Sequence, residues 1–153
     1  MNPAARAGLA IAAALLAGAA QAAPSRYATG QVWEYRTRPG DEGSLLKIQK
    51  IETDPRFAKA GPVYHISVIG FHLANPRIRP VLPHAPVTRR VLDASVTRLS
   101  GVRPLFPDAV PGIVQWQSAH GGVYTIPVAQ IIDALDRSTR NMGNDDSAGS
   151  KSR

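Results

Sequence analysis

Residues 63–73 read VYHISVIGFHL, a run that is apolar at almost every position and rich in β-branched side chains. Because successive side chains of a strand point to opposite faces, such a run predicts an interior strand that is covered on both sides. Gly70 interrupts the run, and a glycine inside a strand indicates a bulge or the close approach of another backbone. We expect the rest of the fold to build outward from this strand.

The preceding segment predicts a β-hairpin. Residues 31–37, QVWEYRT, alternate in polarity, which is typical of a strand with one buried face. Trp33 and Tyr35 share that face and are expected in the core. The alternative is that they form a binding surface with Arg36 and Arg38. Residues 38–43, RPGDEG, combine the proline and glycines of a tight connection, and residues 44–52 supply the return strand.

The following segment predicts an edge strand and then a helix. Residues 75–86 contain four prolines, which exclude a helix and a central strand and leave an extended connection or an edge strand. Residues 88–100 place most of their apolar side chains on one helical face, so a helix is expected there. Thr88 would be its N-cap and Gly101 would end it, while Arg98 would extend its stem along the apolar face.

The last third of the chain predicts two short strands and a second helix. Residues 112–118 and 123–126 are the expected strands, joined by a turn with two glycines. Pro127 can open a short final helix. From residue 138 onward the chain is polar and is expected to be disordered.

The resulting order of elements is β-β-β-α-β-β-α, which predicts an α+β fold. We expect a small, mainly antiparallel sheet, with one medium helix and one short C-terminal helix packed on one of its faces. Residues 24–137 would form a single domain and residues 138–153 a disordered polar tail.

Residues 1–22 have the pattern of a cleaved signal peptide. Arg6 precedes an uncharged apolar stretch at residues 7–20, and Ala20-Gln21-Ala22 matches the small-x-small cleavage rule. A membrane anchor is the alternative, but this stretch is shorter than the about 20 strongly apolar residues that span a bilayer. We therefore expect an exported protein, periplasmic or extracellular, with no transmembrane span in the mature chain.

The composition excludes several kinds of site. The 153 residues include no cysteine, which rules out a disulfide scaffold, a cysteine-ligated metal and a thiol nucleophile. The four histidines show no H-x-H or H-E-x-x-H spacing. His65 and His72 are an odd number of residues apart, so one strand would place them on opposite faces. Neither a metal site nor a cofactor is predicted.

A small secreted hydrolase is an alternative function. It would need a histidine and a carboxylate brought together by the fold, and His84 or His120 with Asp93 is the combination that the sequence offers. No G-x-S-x-G elbow accompanies them. The acidic pairs Asp41–Glu42 and Asp133–Asp136 are interpreted as a turn and a solvated helix face. No catalytic residue is assigned.

Arginine is the distinctive charge of the chain. The formal net charge is +7, and Arg outnumbers Lys by 14 to 4. Residues 76–103 hold six arginines and one acid, Asp93. Arginine suits planar, bidentate recognition of carboxylate or phosphate, and the alternative is that it serves here as a general solvated cation. The candidate binding residues are Arg36, Arg38, Arg77, Arg79, His84, Arg89 and Arg90.

The expected function is therefore that of an exported, non-enzymatic binding module. Its Arg-rich surface would hold a partner protein or an anionic component of the cell envelope, in the manner of an inhibitor or immunity protein. Nucleic acid is not expected as a partner, since the chain is exported and carries no nucleic-acid-binding signature. Besides the hydrolase, the alternative is an accessory structural subunit whose hairpin edge extends a neighbouring sheet. The sequence makes no prediction of oligomeric state.

Overall fold

The computed structural model describes residues 25–148 of the protein, with side chains described for residues 25–140. The predicted signal peptide at residues 1–22 and the last five residues of the predicted tail lie outside the described residues. Within this range the chain forms a five-stranded antiparallel sheet and three α-helices, so the predicted α+β class is confirmed. No helix within the range is both long and apolar enough to cross a bilayer.

The sheet begins with the predicted hairpin. The strands are β1 (Val32–Tyr35), β2 (Leu45–Glu52), β3 (Val63–Ile69), β4 (Val81–Thr88) and β5 (Val96–Leu99). Their order across the sheet is β4-β3-β2-β1-β5, and each neighbouring pair is antiparallel. Trp33 and Tyr35 on β1 are buried, which confirms their expected place in the core.

The apolar run at residues 63–73 forms the interior strand β3, as predicted. Six of its seven residues are buried, because β2 and β4 flank it and both faces of the sheet are covered here. Gly70 follows the strand with a φ of +79°, and a Cβ atom there would lie 3.3 Å from the Cα of Ser44. This is the close backbone approach that its position predicted. His72 lies beyond the end of β3, so it does not share the strand with His65.

The proline-rich segment ends in β4, which is an edge strand, as its prolines predicted. Pro83 and Pro86 lie within it, and its pairing with β3 shifts register between Ile66 and Val68. An edge strand tolerates these prolines because it has one side without a neighbouring strand.

The helix predicted over residues 88–100 is correct only in its first half. α1 (Arg89–Ser95) begins at Thr88, whose side chain accepts the expected N-cap bond from the N–H of Val91. The chain then turns extended at Val96 and forms β5, which pairs with β1. Pairing with β1, a non-local interaction, overrides the helical pattern of apolar residues. Arg98 accordingly reaches Glu34 on the neighbouring strand, at 2.8 Å.

The strand predicted at residues 112–118 is wrong, because this segment is helical. α2 (Val110–Ser118) carries a proline in its first turn and buries Ile113 and Trp116. Their spacing of three residues is that of a helix, although isoleucine and valine on their own favour strands. Residues 123–126 contribute one isolated bridge, from Tyr124 to Val87.

The final helix, α3 (Val128–Ala148), is longer than the short helix predicted after Pro127. Its start buries Val128, Ile131 and Ile132. Further along, Asp136 accepts a hydrogen bond from the N–H of Ala74 over 2.7 Å, and Thr139 is buried. The segment that the sequence assigned to the polar tail therefore begins inside the helix.

The helices cover both faces of the sheet: α1 and α3 pack on one face and α2 on the other. The prediction that the helices pack on a single face is therefore wrong. Tyr64, Ile66 and Val68 on β3 belong to the main core, together with apolar residues of α1 and α3. His65 points to the opposite face, where its ring meets that of Trp116 on α2. α2 therefore forms a second, smaller layer on this face, and the candidate site lies between α2 and β4.

Candidate ligand-binding cleft

An open cleft lies between the edge strand β4 and α2. Its volume is about 630 Å³ and its walls are mainly apolar. The backbone N–H of Tyr124 donates to the carbonyl of Pro86 over 2.8 Å, which joins the two walls. The lining residues are Pro83, His84 and Pro86 on β4, Gly112, Gln115 and Trp116 on α2, and Ala119, Gly121, Gly122, Val123 and Tyr124 after α2.

Two glycines allow the walls of the cleft to pack closely. A Cβ atom on Gly112 would lie 2.6 Å from the Cβ of His84, and one on Gly121 would lie 2.3 Å from Cδ1 of Trp116. Carbon atoms do not approach this closely without displacement, so a larger residue would push either ring aside. Glycine at these positions therefore lets the backbone of α2 and its following loop hold both rings in place.

Trp116 forms the aromatic back of the cleft. It is 7 % exposed, and its Nε1–H donates to the carbonyl of Gly122 over 2.7 Å. Its ring stacks on Phe57 and meets the ring of His65 edge-on, with centroids 6.1 and 5.0 Å apart. The guanidinium of Arg56 lies over Phe57 and Trp116, which adds cation–π attraction. These contacts hold the indole in one orientation.

A pair of imidazoles connects the interior of the sheet to the cleft. Nδ1 of His65 lies 2.8 Å from Nε2 of His84, across the register shift between β3 and β4. The ring centroids are 5.0 Å apart and the planes differ by 22°. The two nitrogens therefore face each other close to the ring planes, which is the geometry of a good hydrogen bond. His65 is fully buried, whereas His84 forms part of the cleft wall.

A carboxylate lies behind the buried imidazole. Oε1 of Glu52, at the end of β2, is 3.2 Å from Nε2 of His65. The carboxylate oxygen does not lie in the direction in which Nε2 would donate, so the contact is not a hydrogen bond. Nε2 of His65 therefore has no hydrogen-bond partner among the described residues. Lys50 and Gln117 both donate to the same carboxylate. We call Glu52, His65 and His84 the histidine relay.

Burial and charge set the protonation of the relay. Burial, and then the neighbouring His65, lower the pKa of His84 from 6.5 to about 4. Burial, together with the nearby Lys50, holds the pKa of His65 below its usual value, although Glu52 raises it. Burial alone would raise the pKa of Glu52, but hydrogen bonds from Lys50 and Gln117 and the nearby His65 bring it below its usual value. At neutral pH the relay therefore consists of two neutral imidazoles and one carboxylate.

The four arginines of the segment around β4 occupy its two ends. Arg77 and Arg79 are exposed just before the strand, and Arg89 and Arg90 are exposed just after it. The eight-residue strand between the pairs would be about 26 Å long if fully extended. These residues do not form one contiguous patch. His84 lies between the two pairs along the strand, and Arg89 is 3.6 Å from Asp93, on the other face of the sheet from the cleft.

The other two candidate arginines have structural partners. Arg38 donates to Asp41 and to the carbonyl of His72, each over 2.6 Å, and to Asp133 over 3.3 Å. Arg36 donates to the carbonyl of Ala94 at the end of α1. Asp41 lies in a turn, as predicted, but it is only 2 % exposed. Asp136 is 7 % exposed, so its interpretation as part of a solvated helix face is wrong.

The catalytic combination considered from the sequence does not assemble. Asp93 lies on α1 and accepts a hydrogen bond from Tyr27 over 2.7 Å, on the other face of the sheet from the cleft. His120 is exposed in the loop after α2, with a φ of +50°. The carboxylate nearest to His84 is that of Glu52, and His65 lies between them.

The sequence identified His84 but missed its two supporting residues. The sequence predicts His65 as a half-buried strand residue and Glu52 only as the end of the return strand of the hairpin. One signal was available: residues two apart in a strand share a face, and the return strand of a meander brings Glu52 opposite the start of β3. The register shifts in both pairings then decide which side chains meet, and no sequence pattern specifies them.

No group of three or more His, Asp or Glu side chains in residues 25–148 has the arrangement that would hold a metal ion. Comparison with protein-family models, with characterised proteins and with solved structures found no match for this chain.

Proposed function

We propose that the protein is an exported binding module that holds an acidic protein segment along β4, with one apolar side chain of that segment in the cleft. The observation that carries the proposal is the cleft itself. It is an open, mainly apolar volume of about 630 Å³ beside an edge strand. Concave apolar sites with a few polar groups are typical of ligand binding. Export is inferred from the signal-like pattern of residues 1–22.

The arginine pairs support an acidic partner. Arg77 and Arg79 stand before β4 and Arg89 and Arg90 after it, all four exposed. Only Arg89 has a nearby acid, Asp93, at 3.6 Å among the salt bridges of the described residues. An extended segment of about eight residues matches the length of the strand and would bring an acidic side chain towards Arg77 and Arg79 at one end and towards Arg90 at the other. Such charges guide association more than they raise affinity.

A protein segment fits the site better than an anionic glycan or lipid headgroup. Aromatic and proline side chains line the cleft, and they would bury an apolar side chain favourably. A polyanionic glycan has no apolar group to place there. A headgroup would bind to the arginines and leave the cleft without a role.

Synthetic peptides test this proposal. One peptide carries acidic residues at both ends and a central phenylalanine; a second replaces the phenylalanine with serine; a third replaces the acids with their amides. We expect the first to bind most tightly and to weaken with added salt. Charge reversal in Arg77→Glu/Arg79→Glu or in Arg89→Glu/Arg90→Glu should weaken it about tenfold.

The matched control is Arg137→Glu, an exposed arginine on α3, which should leave peptide binding unchanged. Anionic lipid vesicles form a separate arm of the experiment. Binding to vesicles without binding to any of the peptides would contradict a protein partner and identify an envelope component instead.

A hydrolase is the second candidate, and the histidine relay is the observation that favours it. A carboxylate and an imidazole behind His84 would orient it as a general base towards a bound ester. Its pKa of about 4 makes it a weak base, which is why binding is the first proposal. Turnover of simple aryl esters that is lost in His84→Gln would establish this candidate.

A further inference from the structure

We infer that the histidine relay presents a bare Nδ1 atom of His84 to the ligand, so that the cleft selects an aromatic side chain bearing a hydrogen-bond donor, such as the phenol of tyrosine or the indole of tryptophan. The inference rests on the proposed function and specifies the side chain that the cleft takes. It follows from three steps along the relay.

The first step is the charge on Glu52. The ammonium of Lys50 and the amide of Gln117 both donate to its carboxylate, and its side chain is 18 % exposed. Donors that converge on a carboxylate stabilise its ionised form. A negative charge therefore lies at the interior end of the relay.

The second step is the tautomer of His65. A bare Nε2 atom would place its lone pair 3.2 Å from the carboxylate oxygen of Glu52, which is repulsive, whereas an Nε2–H group is attracted there. A neutral imidazole carries one proton, so Nδ1 of His65 is then an acceptor. The charge on Glu52 thus decides which nitrogen of His65 is protonated.

The third step is the tautomer of His84, which the tautomer of His65 determines. The 2.8 Å contact between the rings needs one donor and one acceptor, and Nδ1 of His65 is the acceptor. Nε2 of His84 must therefore carry the proton, which leaves its Nδ1 bare. Among the described residues, Nδ1 of His84 makes no hydrogen bond.

The surroundings of Nδ1 define the ligand. Gly112 approaches the ring so closely that a Cβ atom there would lie 3.1 Å from Nδ1, and Pro83, Pro86 and Trp116 supply apolar walls. Gln115 and Tyr124 also line the cleft, but Nδ1 of His84 is the acceptor that lies beside these apolar walls. An acceptor in such surroundings suits an apolar group that carries a hydrogen-bond donor. An aliphatic side chain would leave the acceptor unpaired on burial, which lowers its affinity.

Two measurements on the unmodified protein test the inference. Imidazole ¹⁵N shifts report which nitrogen of each ring is protonated, and we expect Nε2–H on both His65 and His84. Titration with p-cresol and with 4-methylanisole compares two ligands of similar shape, of which only the first has a donor. We expect p-cresol to bind about 3- to 10-fold more tightly.

The controls separate this inference from the proposal beneath it. Removing the charge in Glu52→Ala should abolish the preference for p-cresol, whereas Glu34→Gln, at an exposed ion pair on β1, should preserve it. Equal binding of the two ligands by the unmodified protein, or an Nδ1–H tautomer of His84, overturns the inference and leaves the cleft as a binding site. If none of the acidic peptides binds but Nε2 of His84 carries the proton as inferred, the proposed function is overturned instead.

Discussion

Nδ1 of His65 lies 2.8 Å from Nε2 of His84, which joins a fully buried residue of the interior strand to the wall of the cleft. Buried polar groups are costly without partners, so each imidazole depends on the other. The contact is possible because the pairing of β3 and β4 shifts register close to it. The consequences of this arrangement are open to direct measurement.

Replacing Gly112 with alanine should destabilise the protein. The added methyl group would lie 2.6 Å from the Cβ of His84. The backbone fixes the position of that atom, so a rotation of the side chain cannot relieve the clash and α2 or β4 would have to shift. We expect a loss of about 1–3 kcal/mol in the free energy of unfolding, measured by chemical denaturation. Gly122→Ala is the control in the same cleft, because a Cβ atom there meets nothing within 4 Å. Equal stability of the two variants would contradict the close packing described for His84.

The stability of the protein should fall in mild acid through His84. The unfolded chain binds a proton at this imidazole near pH 6.5, whereas the folded chain binds it only near pH 4. The unfolded state therefore gains protons first as the pH falls from about 6.5 to about 4, and the stability contributed above pH 6.5 is lost across that interval. The groups that face His84 are His65 and, behind it, Glu52 and Lys50.

Urea denaturation at several pH values measures this effect. His84→Gln should make the dependence between pH 6.5 and 4 shallower and leave the part that is due to His65. His120→Asn, at an exposed position whose positive φ asparagine tolerates, should retain it. A wild-type profile that stays flat over this interval would show that His84 titrates as an ordinary solvated histidine.

Arg38 should prove to be a stabilising residue and not a binding residue. It is the partner of Asp41, a carboxylate that is 2 % exposed. Burial by itself would raise the pKa of Asp41, but hydrogen bonds from Arg38 and His72 hold that pKa below its usual value. Because Arg38→Met leaves a buried charge with fewer partners, we expect a loss of about 3 kcal/mol in stability.

Thermal or chemical unfolding of Arg38→Met checks this prediction. Arg77→Met, at an exposed position, should change stability little and should weaken binding of the acidic peptide. The opposite result, with Arg38→Met stable and defective only in binding, would return Arg38 to the binding surface.

The parts of the fold that local pattern specifies were predicted well. The run at residues 63–73 indicated an interior strand, the prolines of β4 an edge strand, and Thr88 the start of α1, and each prediction is confirmed. The interior strand follows from side chains that alternate between the two faces of the sheet and are apolar on both. The edge strand follows from the backbone N–H that proline lacks, and the start of α1 follows from the capping hydroxyl of Thr88. All of them act within a few residues along the chain.

The parts that depend on distant contacts were not predicted. Val96 leaves the helix because β1 offers it a pairing partner, and residues 112–118 become a helix whose Trp116 packs on His65. The histidine relay is harder still to predict, because the register of two strand pairs decides whether Glu52, His65 and His84 come together. Local propensity carries no information about that register.

The indole signals of the two tryptophans report directly on whether the cleft is the binding site. Trp116 donates its Nε1–H to Gly122 at the cleft, whereas Trp33 donates to Gln31 from the main core. In a titration with the acidic phenylalanine peptide, followed by ¹H–¹⁵N spectra, we expect the Trp116 indole signal and the Gly121 and Gly122 amides to move while the Trp33 signal stays in place. Binding that moves residues elsewhere and leaves the Trp116 signal unchanged would contradict the account.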